Sequence, residues 1–298
     1  WNIAGDLTWV DRGGSEQLLG HEPGVFSDPA VSPDGRHAAV VRNQSGSLDV
    51  WVYELDQQRP PARVTRGEGL VVNPIWTPDG RELIYSQERR LLELVRKDWQ
   101  SGAPEISIPI AEAQDVYAHA VTPDGRLMIG AQGDSWDIWT VPIETVGAPA
   151  QPLEFRATEF HEMSPALSSD GRWVAYVSNE AGAREIWVDP YPSSDVSRRR
   201  RQITRGGGSA PTWGAGGELF YRSGQSVMSV RVELATGVPG TPVELVDGPY
   251  LPGLDYSVDP SGDRFLMIKP RADASVRSEV VVVLNWLDRL ESLMGNGS

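Results

Sequence analysis

The stretch at 31–41, VSPDGRHAAVV, is written three more times with small changes: WTPDGRELIYS at 76–86, VTPDGRLMIGA at 121–131 and LSSDGRWVAYV at 167–177. Two weaker copies follow, WGAGGELFYRS at 213–223 and VDPSGDRFLMI at 258–268. The turn glycines Gly35, Gly80, Gly125, Gly171, Gly217 and Gly262 recur at intervals of 45 or 46 residues. A constant period in this range means one supersecondary unit per repeat, stacked into a propeller or solenoid.

The turn has a physical basis. In Ser32-Pro33-Asp34-Gly35, proline presets φ for a type I turn, aspartate can accept from nearby backbone N–H groups, and glycine takes the left-handed conformation that closes a short hairpin. The turn therefore joins two antiparallel strands. Four residues before each glycine the chain is apolar: Val31, Trp76, Val121, Leu167, Trp213 and Val258. Five before, it is mostly small: Ala30, Ile75, Ala120, Ala166, Thr212 and Ser257. Six before stand Pro29, Pro74, Pro165 and Pro211, residues with no N–H to donate and so suited to a strand with one open edge. After the turn, runs such as LIYS, WVAYVS and FLMI predict a middle strand covered on both faces. A third strand carries Trp51, Trp139 and Trp187 at equivalent places, where packing between units is the expected role. A fourth follows, as in ARVTRG and RQITRG.

Four strands per repeat predict an all-β chain: a six-bladed β-propeller of four-stranded antiparallel blades, filling 1–298 as one domain. The segment 6–19 reads as third and fourth strands and is expected to complete the last blade, begun around Gly262. EVVVVL at 279–284 also reads as a third strand, so a seven-bladed remnant is the alternative. A short helix is expected at 286–294, then a tail at 295–298.

The SPDGR turns with DIW strands resemble the TolB-like propeller repeats of bacterial proteins, over nearly the whole chain. More narrowly, LTWVDRGGSEQLL, YVSNEAGAREIWVDPYP, DRFLMIKP and VVVLNWLDRL resemble the C-terminal propeller of bacterial receptor-type serine/threonine kinases. That resemblance implies a domain on the periplasmic or extracellular side of a bacterial membrane. The chain begins at Trp1 and reads as an excised piece, joined to any membrane only through an upstream segment. It contains no Gly-rich loop with a strand lysine, no HRD and no DFG.

Composition narrows the function. The net charge of −14 repels phosphate backbones and anionic lipid, so no nucleic-acid partner is expected. With no cysteine, thiolate catalysis and Cys-ligated zinc are excluded. No GxSxG elbow or Walker loop is present, and no cofactor is implied. His21-Glu22 and His161-Glu162 lack the second histidine of a zinc-protease helix. Asp34, Asp79, Asp124 and Asp170 read as turn residues that need no metal, and Arg198–Arg201 as a solvated basic loop.

Departure from the repeat marks the candidate site. His119 and Tyr256 stand where four other units have proline. Tyr117, Asp28, Asn73, His161, Glu162 and Asp255 lie in the equivalent approaches to the first strands. These eight are expected at the rim of the central channel, where a rigid scaffold presents binding residues. The expected function is non-enzymatic recognition of a protein, peptide or glycan by a sensor or scaffold domain. The alternatives are a glycan- or peptide-cleaving propeller with acids at the channel mouth, and a TolB-like periplasmic scaffold.

Overall fold

The computed structural model describes residues 3–271 apart from 57–58, 68, 90, 112–114, 145–148, 195–198 and 252–255. The segments expected as a strand at 279–284, a helix at 286–294 and a tail, as well as Arg198 and Asp255, lie outside the described residues.

Within them, the regular elements are strands apart from one 3-10 turn at Ala215–Gly217. β1 (Ala4–Asp11) and β2 (Glu16–Leu18) come first, then β3 (Gly24–Val31), β4 (His37–Gln44), β5 (Ser47–Glu54) and β6 (Ala62–Arg63). The next four are β7 (Val71–Trp76), β8 (Glu82–Glu88), β9 (Leu92–Asp98) and β10 (Ile106–Ile108). β11 (Asp115–Val121), β12 (Arg126–Gln132), β13 (Trp136–Pro142) and β14 (Leu153–Arg156) follow. Then come β15 (Glu162–Leu167), β16 (Trp173–Ser178), β17 (Glu185–Pro190) and β18 (Arg201–Gln202). β19 (Ser209–Trp213), β20 (Glu218–Ser223), β21 (Ser226–Arg231) and β22 (Val243–Val246) precede the last pair, β23 (Tyr256–Val258) and β24 (Arg264–Pro270).

Four four-stranded antiparallel sheets are formed by β7–β10, β11–β14, β15–β18 and β19–β22. The remaining eight strands make one sheet in which β1 pairs with β24 from Asp6↔Lys269 to Asp11↔Arg264. Residues 6–19 thus join the sheet holding 264–269, as the repeat predicts. β1 meets β3 only at Ala4↔Val25 and Gly5↔Gly24, a two-residue link within this sheet. Each first strand contacts the next, from β3 through β7, β11, β15 and β19 to β23, and β23 contacts β3.

The turns take the expected form, with a detail the repeat did not reveal. Gly35 adopts φ +70°, and its N–H donates to the Ser32 carbonyl at 2.9 Å. The residue three before the glycine adds a hydroxyl: Ser32, Thr77, Thr122 and Ser168 donate to Asp34, Asp79, Asp124 and Asp170 at 2.5–2.6 Å. Each aspartate is thereby held below the usual carboxylate range where a shift is resolved, as at Asp34 and Asp79.

Middle strands are apolar throughout because each face covers a different neighbour. Ala38 and Val40 of β4 pack with Leu7, Trp9, Leu266 and Ile268, whereas Ala39 between them packs with Leu83, Tyr85 and Val95. Period-two alternation across two buried faces gives a continuous hydrophobic run. Trp173 sits fully buried between β15–β18 and β19–β22. Trp51, Trp139 and Trp187 also pack between groups but are only half-buried. Arginines cover the exposed side: Arg63 lies 5.9 Å from the Trp51 ring and Arg200 4.0 Å from that of Trp187. Arg200 also donates to the Tyr176 hydroxyl at 2.7 Å and to Glu180 at 2.8 Å. It is therefore a packing residue, not part of a solvated loop.

Candidate functional site

First strands carry a bulge. In β3 the register against β4 shifts between Ser27 and Ala30, and comparable shifts occur in β7, β11, β15 and β19. In four of them the residue before proline is left-handed: Asp28 (φ 48°), Asn73 (51°), Ser164 (52°) and Ala210 (49°). That conformation costs a non-glycine residue about 1–2 kcal/mol. Proline suits the next position because the bulge leaves its nitrogen out of the ladder.

A cavity of about 340 Å³ opens between the first strands, lined from β3, β7, β11, β19, β23 and the turns at Pro33 and Pro260. Four candidate residues meet there: Asp28, Asn73, His119 and Tyr256. They come from four different first strands or strand approaches, so the tertiary fold alone brings them together. Thr212 and Ser257 also line it. Both are polar exceptions in the small-residue column five before the turn glycine, and that departure is the sequence signal for them.

The groups differ in what they have free. The Asp28 carboxyl accepts from Ser27 Oγ at 3.0 Å and from the Asn73 N–H, yet enclosure by protein raises its pKa above the usual carboxylate range. His119 is reached by water through the cavity but is otherwise walled by protein, and this desolvation lowers its pKa to about 4. Neither ring nitrogen has a hydrogen-bond partner among the described residues. At neutral pH His119 is thus an uncharged imidazole with an available lone pair. Tyr256 is buried; its hydroxyl donates to the Ala210 carbonyl at 2.7 Å, tying β23 to β19. The neighbouring Ser257 Oγ accepts the Val31 N–H at 3.0 Å, tying β23 to β3.

The other described candidates, Tyr117, His161 and Glu162, do not line this cavity. Tyr117 is half-buried with its ring 5.1 Å from that of Trp136. His161 is exposed; its Nδ1 accepts the Trp136 N–H at 3.2 Å, and its own N–H donates to Asn179 at 2.8 Å. Glu162 is buried, its pKa raised by desolvation, and accepts from Thr158 Oγ1 at 2.6 Å.

Two buried acids elsewhere, Asp49 and Glu185, are engaged in a repeated latch. Asp49 at the start of β5 accepts from Thr65 Oγ1 at 2.9 Å, and Thr65 Oγ1 in turn accepts the Val50 N–H at 3.0 Å. Glu185 at the start of β17 accepts from Thr204 and from the Gly207 N–H at 3.1 Å, and Thr204 takes the Ile186 N–H at 2.8 Å. The acid of the third strand and the threonine of TRG thus fasten the outermost strand. Among the described residues no three His, Asp or Glu side chains gather as metal ligands, and no helix is long and apolar enough to cross a membrane.

No family model matches the chain. It is 25% identical over 197 residues to an uncharacterized peptidase, YuxL, of Bacillus subtilis, covering 51% of this chain and 29% of that one. It is 24% identical over 138 residues to the Tol-Pal system protein TolB of an Anaeromyxobacter species, covering 43% and 27%. The chain thus spans less than a third of either relative. Among solved structures it superposes on a putative TolB from Agrobacterium tumefaciens with a TM-score of 0.69, at 18% identity, over 91% of this chain and 99% of that one. TolB from Acinetobacter baumannii gives 0.60 at 14% identity, over 90% and 64%. The fold is that of a TolB-like β-propeller. A prolyl endopeptidase also shares it, with a TM-score of 0.56 at 13% identity over 80% of this chain and 38% of that one.

Proposed function

We propose that this chain is a non-enzymatic recognition propeller, six four-stranded blades around one channel, which takes a ligand or a segment of a partner protein into its axial cavity. The observation that carries the reading is the convergence of Asp28, Asn73, His119 and Tyr256 on that cavity from separate units. Six blades are counted by treating β23-β24-β1-β2 and β3-β4-β5-β6 as separate units beside the four smaller sheets. A paired-carboxylate hydrolase needs two acids across a substrate. The described lining supplies one, Asp28, and the buried acids Asp49, Glu162 and Glu185 are each taken up by a threonine.

The likeness to TolB and the kinase-type tail motifs support an extracytoplasmic domain of a bacterial signalling or envelope protein. A second reading, the propeller portion of a peptidase, draws on the likeness to YuxL and to the prolyl endopeptidase. In that case chemistry would belong to another domain, and the cavity would still be the face offered to substrate.

The absence of cysteine gives a clean test. Thr212→Cys places a single thiol in the cavity and Ser101→Cys a single thiol on an outer turn. Each is coupled to a benzophenone maleimide and irradiated in a bacterial envelope extract. Adducts unique to the Thr212 probe are expected; identical adduct patterns from both probes would reject the axial site.

A further inference from the structure

Resting on the axial cavity as the recognition site, we propose that the group it recognises is a primary ammonium, with the Asp28 carboxylate as counter-ion and the His119 imidazole as a further acceptor.

The chemistry of the lining selects the charge. Asp28 is the one carboxylate among the described lining residues, and none of them is a lysine or arginine. A carboxylate so enclosed, without a cationic neighbour, is poorly solvated, and a bound cation relieves that cost. Anionic ligands meet the same carboxylate and a chain of net charge −14, whose field draws cations toward a cleft and repels anions. His119 would oppose a cation if it were protonated. Its burial keeps it neutral instead, so its free nitrogen accepts a hydrogen bond.

The arrangement of acceptors selects the kind of cation. A guanidinium seeks both oxygens of one carboxylate in a planar fork. At Asp28, Oδ2 is already taken by Ser27 Oγ at 3.0 Å, and the carboxyl also receives the Asn73 N–H. Those two donors leave only part of the carboxylate's acceptor capacity free, and the Asn73 side chain and the His119 ring add single acceptors from other strands. Dispersed single acceptors suit the three divergent donors of an ammonium. A calcium ion takes six to eight oxygens, commonly including more than one carboxylate, and magnesium a strict octahedron of oxygens; a lining with a single described carboxylate beside an imidazole matches neither well.

The test uses the full chain, with calorimetry and four probes: n-butylammonium, butyrate, a short peptide with one lysine and an acetylated N-terminus, and a lysine-free peptide with a free N-terminus. Saturable binding of at least one ammonium probe is expected, with none of butyrate. The probe that binds best identifies the source as a small amine, a lysine side chain or a chain terminus. Asp28→Asn should weaken that binding at least about tenfold. This variant keeps the local backbone within reach, because Asn73 already holds the same left-handed conformation in the next unit. If Asp28→Asn nevertheless loses its circular-dichroism signature, His119→Gln and the butylammonium-to-butyrate ratio of the unmodified chain decide. Absence of any ammonium binding at tens of millimolar, equal binding of butyrate, or unchanged affinity in a folded Asp28→Asn protein overturns the proposal. A partner cross-linked through Thr212 alongside any of those results would discard the ammonium and leave the axial recognition site standing.

Discussion

The His119 imidazole lies directly over Gly130: a Cβ placed on Gly130 would come within 3.1 Å of His119 Nε2. Five residues after the turn glycine, the other units carry Val40, Tyr85, Tyr176, Arg222 and Met267. The third unit therefore departs twice, and the departures fit each other. Histidine replaces proline on the first strand, and glycine replaces a large side chain on the second, freeing the space that the ring occupies. The sequence shows no packing reason for losing proline at position 119; the tertiary structure supplies one.

This coupling is measurable. Gly130→Val should destabilise by about 1–3 kcal/mol through overpacking against the ring. His119→Pro removes the ring, so the double variant should lose less than the two singles combined, with a coupling of about 1 kcal/mol or more in denaturant unfolding. Strict additivity would mean that the ring moves aside freely.

His119 also sets a pH dependence. Folding holds its pKa near 4, whereas an unfolded histidine takes up a proton near 6.5. Between these values the unfolded chain binds more protons, so stability falls as pH is lowered through that window. The limiting loss is about 3 kcal/mol, reduced by the water that reaches the ring. His119→Gln should therefore flatten unfolding free energy between pH 6.5 and 4 relative to the unmodified chain. Parallel curves for the two proteins would show that the ring titrates normally.

Two tryptophans should respond differently. Trp173 is fully buried, and Trp173→Ala should cost about 3–5 kcal/mol. Trp51 is half-buried beneath Arg42 and Arg63, whose guanidinium carbons lie 5.5 and 5.9 Å from its ring. Trp51→Ala should cost roughly half as much. Thermal unfolding of both variants checks the ranking, and a larger loss at Trp51 would contradict its partial exposure.

The latch offers a fourth measurement. Thr65→Val keeps the side chain's shape but leaves the Asp49 carboxylate and the Val50 N–H short of a partner each. A loss of about 1–3 kcal/mol is expected, the usual penalty for an unsatisfied buried group. Amide exchange should rise in β6, which the latch fastens, before it rises in β4. Protection that falls uniformly over the sheet would argue against a local role.

The repeat alone determined the strand order within a unit, the turn geometry and the pairing of 6–19 with 264–269. Strand order and turn geometry depend on φ preferences and on period-two burial, which are local and written once per unit; the pairing follows from the incomplete last copy, which needs strands from the other end of the chain. The same copies pointed to His119 and Tyr256 by the missing proline. What the sequence could not assign was the use of each polar group. Tyr256 spends its hydroxyl on the Ala210 carbonyl, Glu162 is taken up by Thr158 and Tyr117 packs on Trp136, whereas His119 and Asp28 face an open cavity. The difference is tertiary because Tyr256 finds its partner in the neighbouring unit, 46 residues away in the chain, and only the stacking of units decides which first-strand groups are satisfied and which face the cavity.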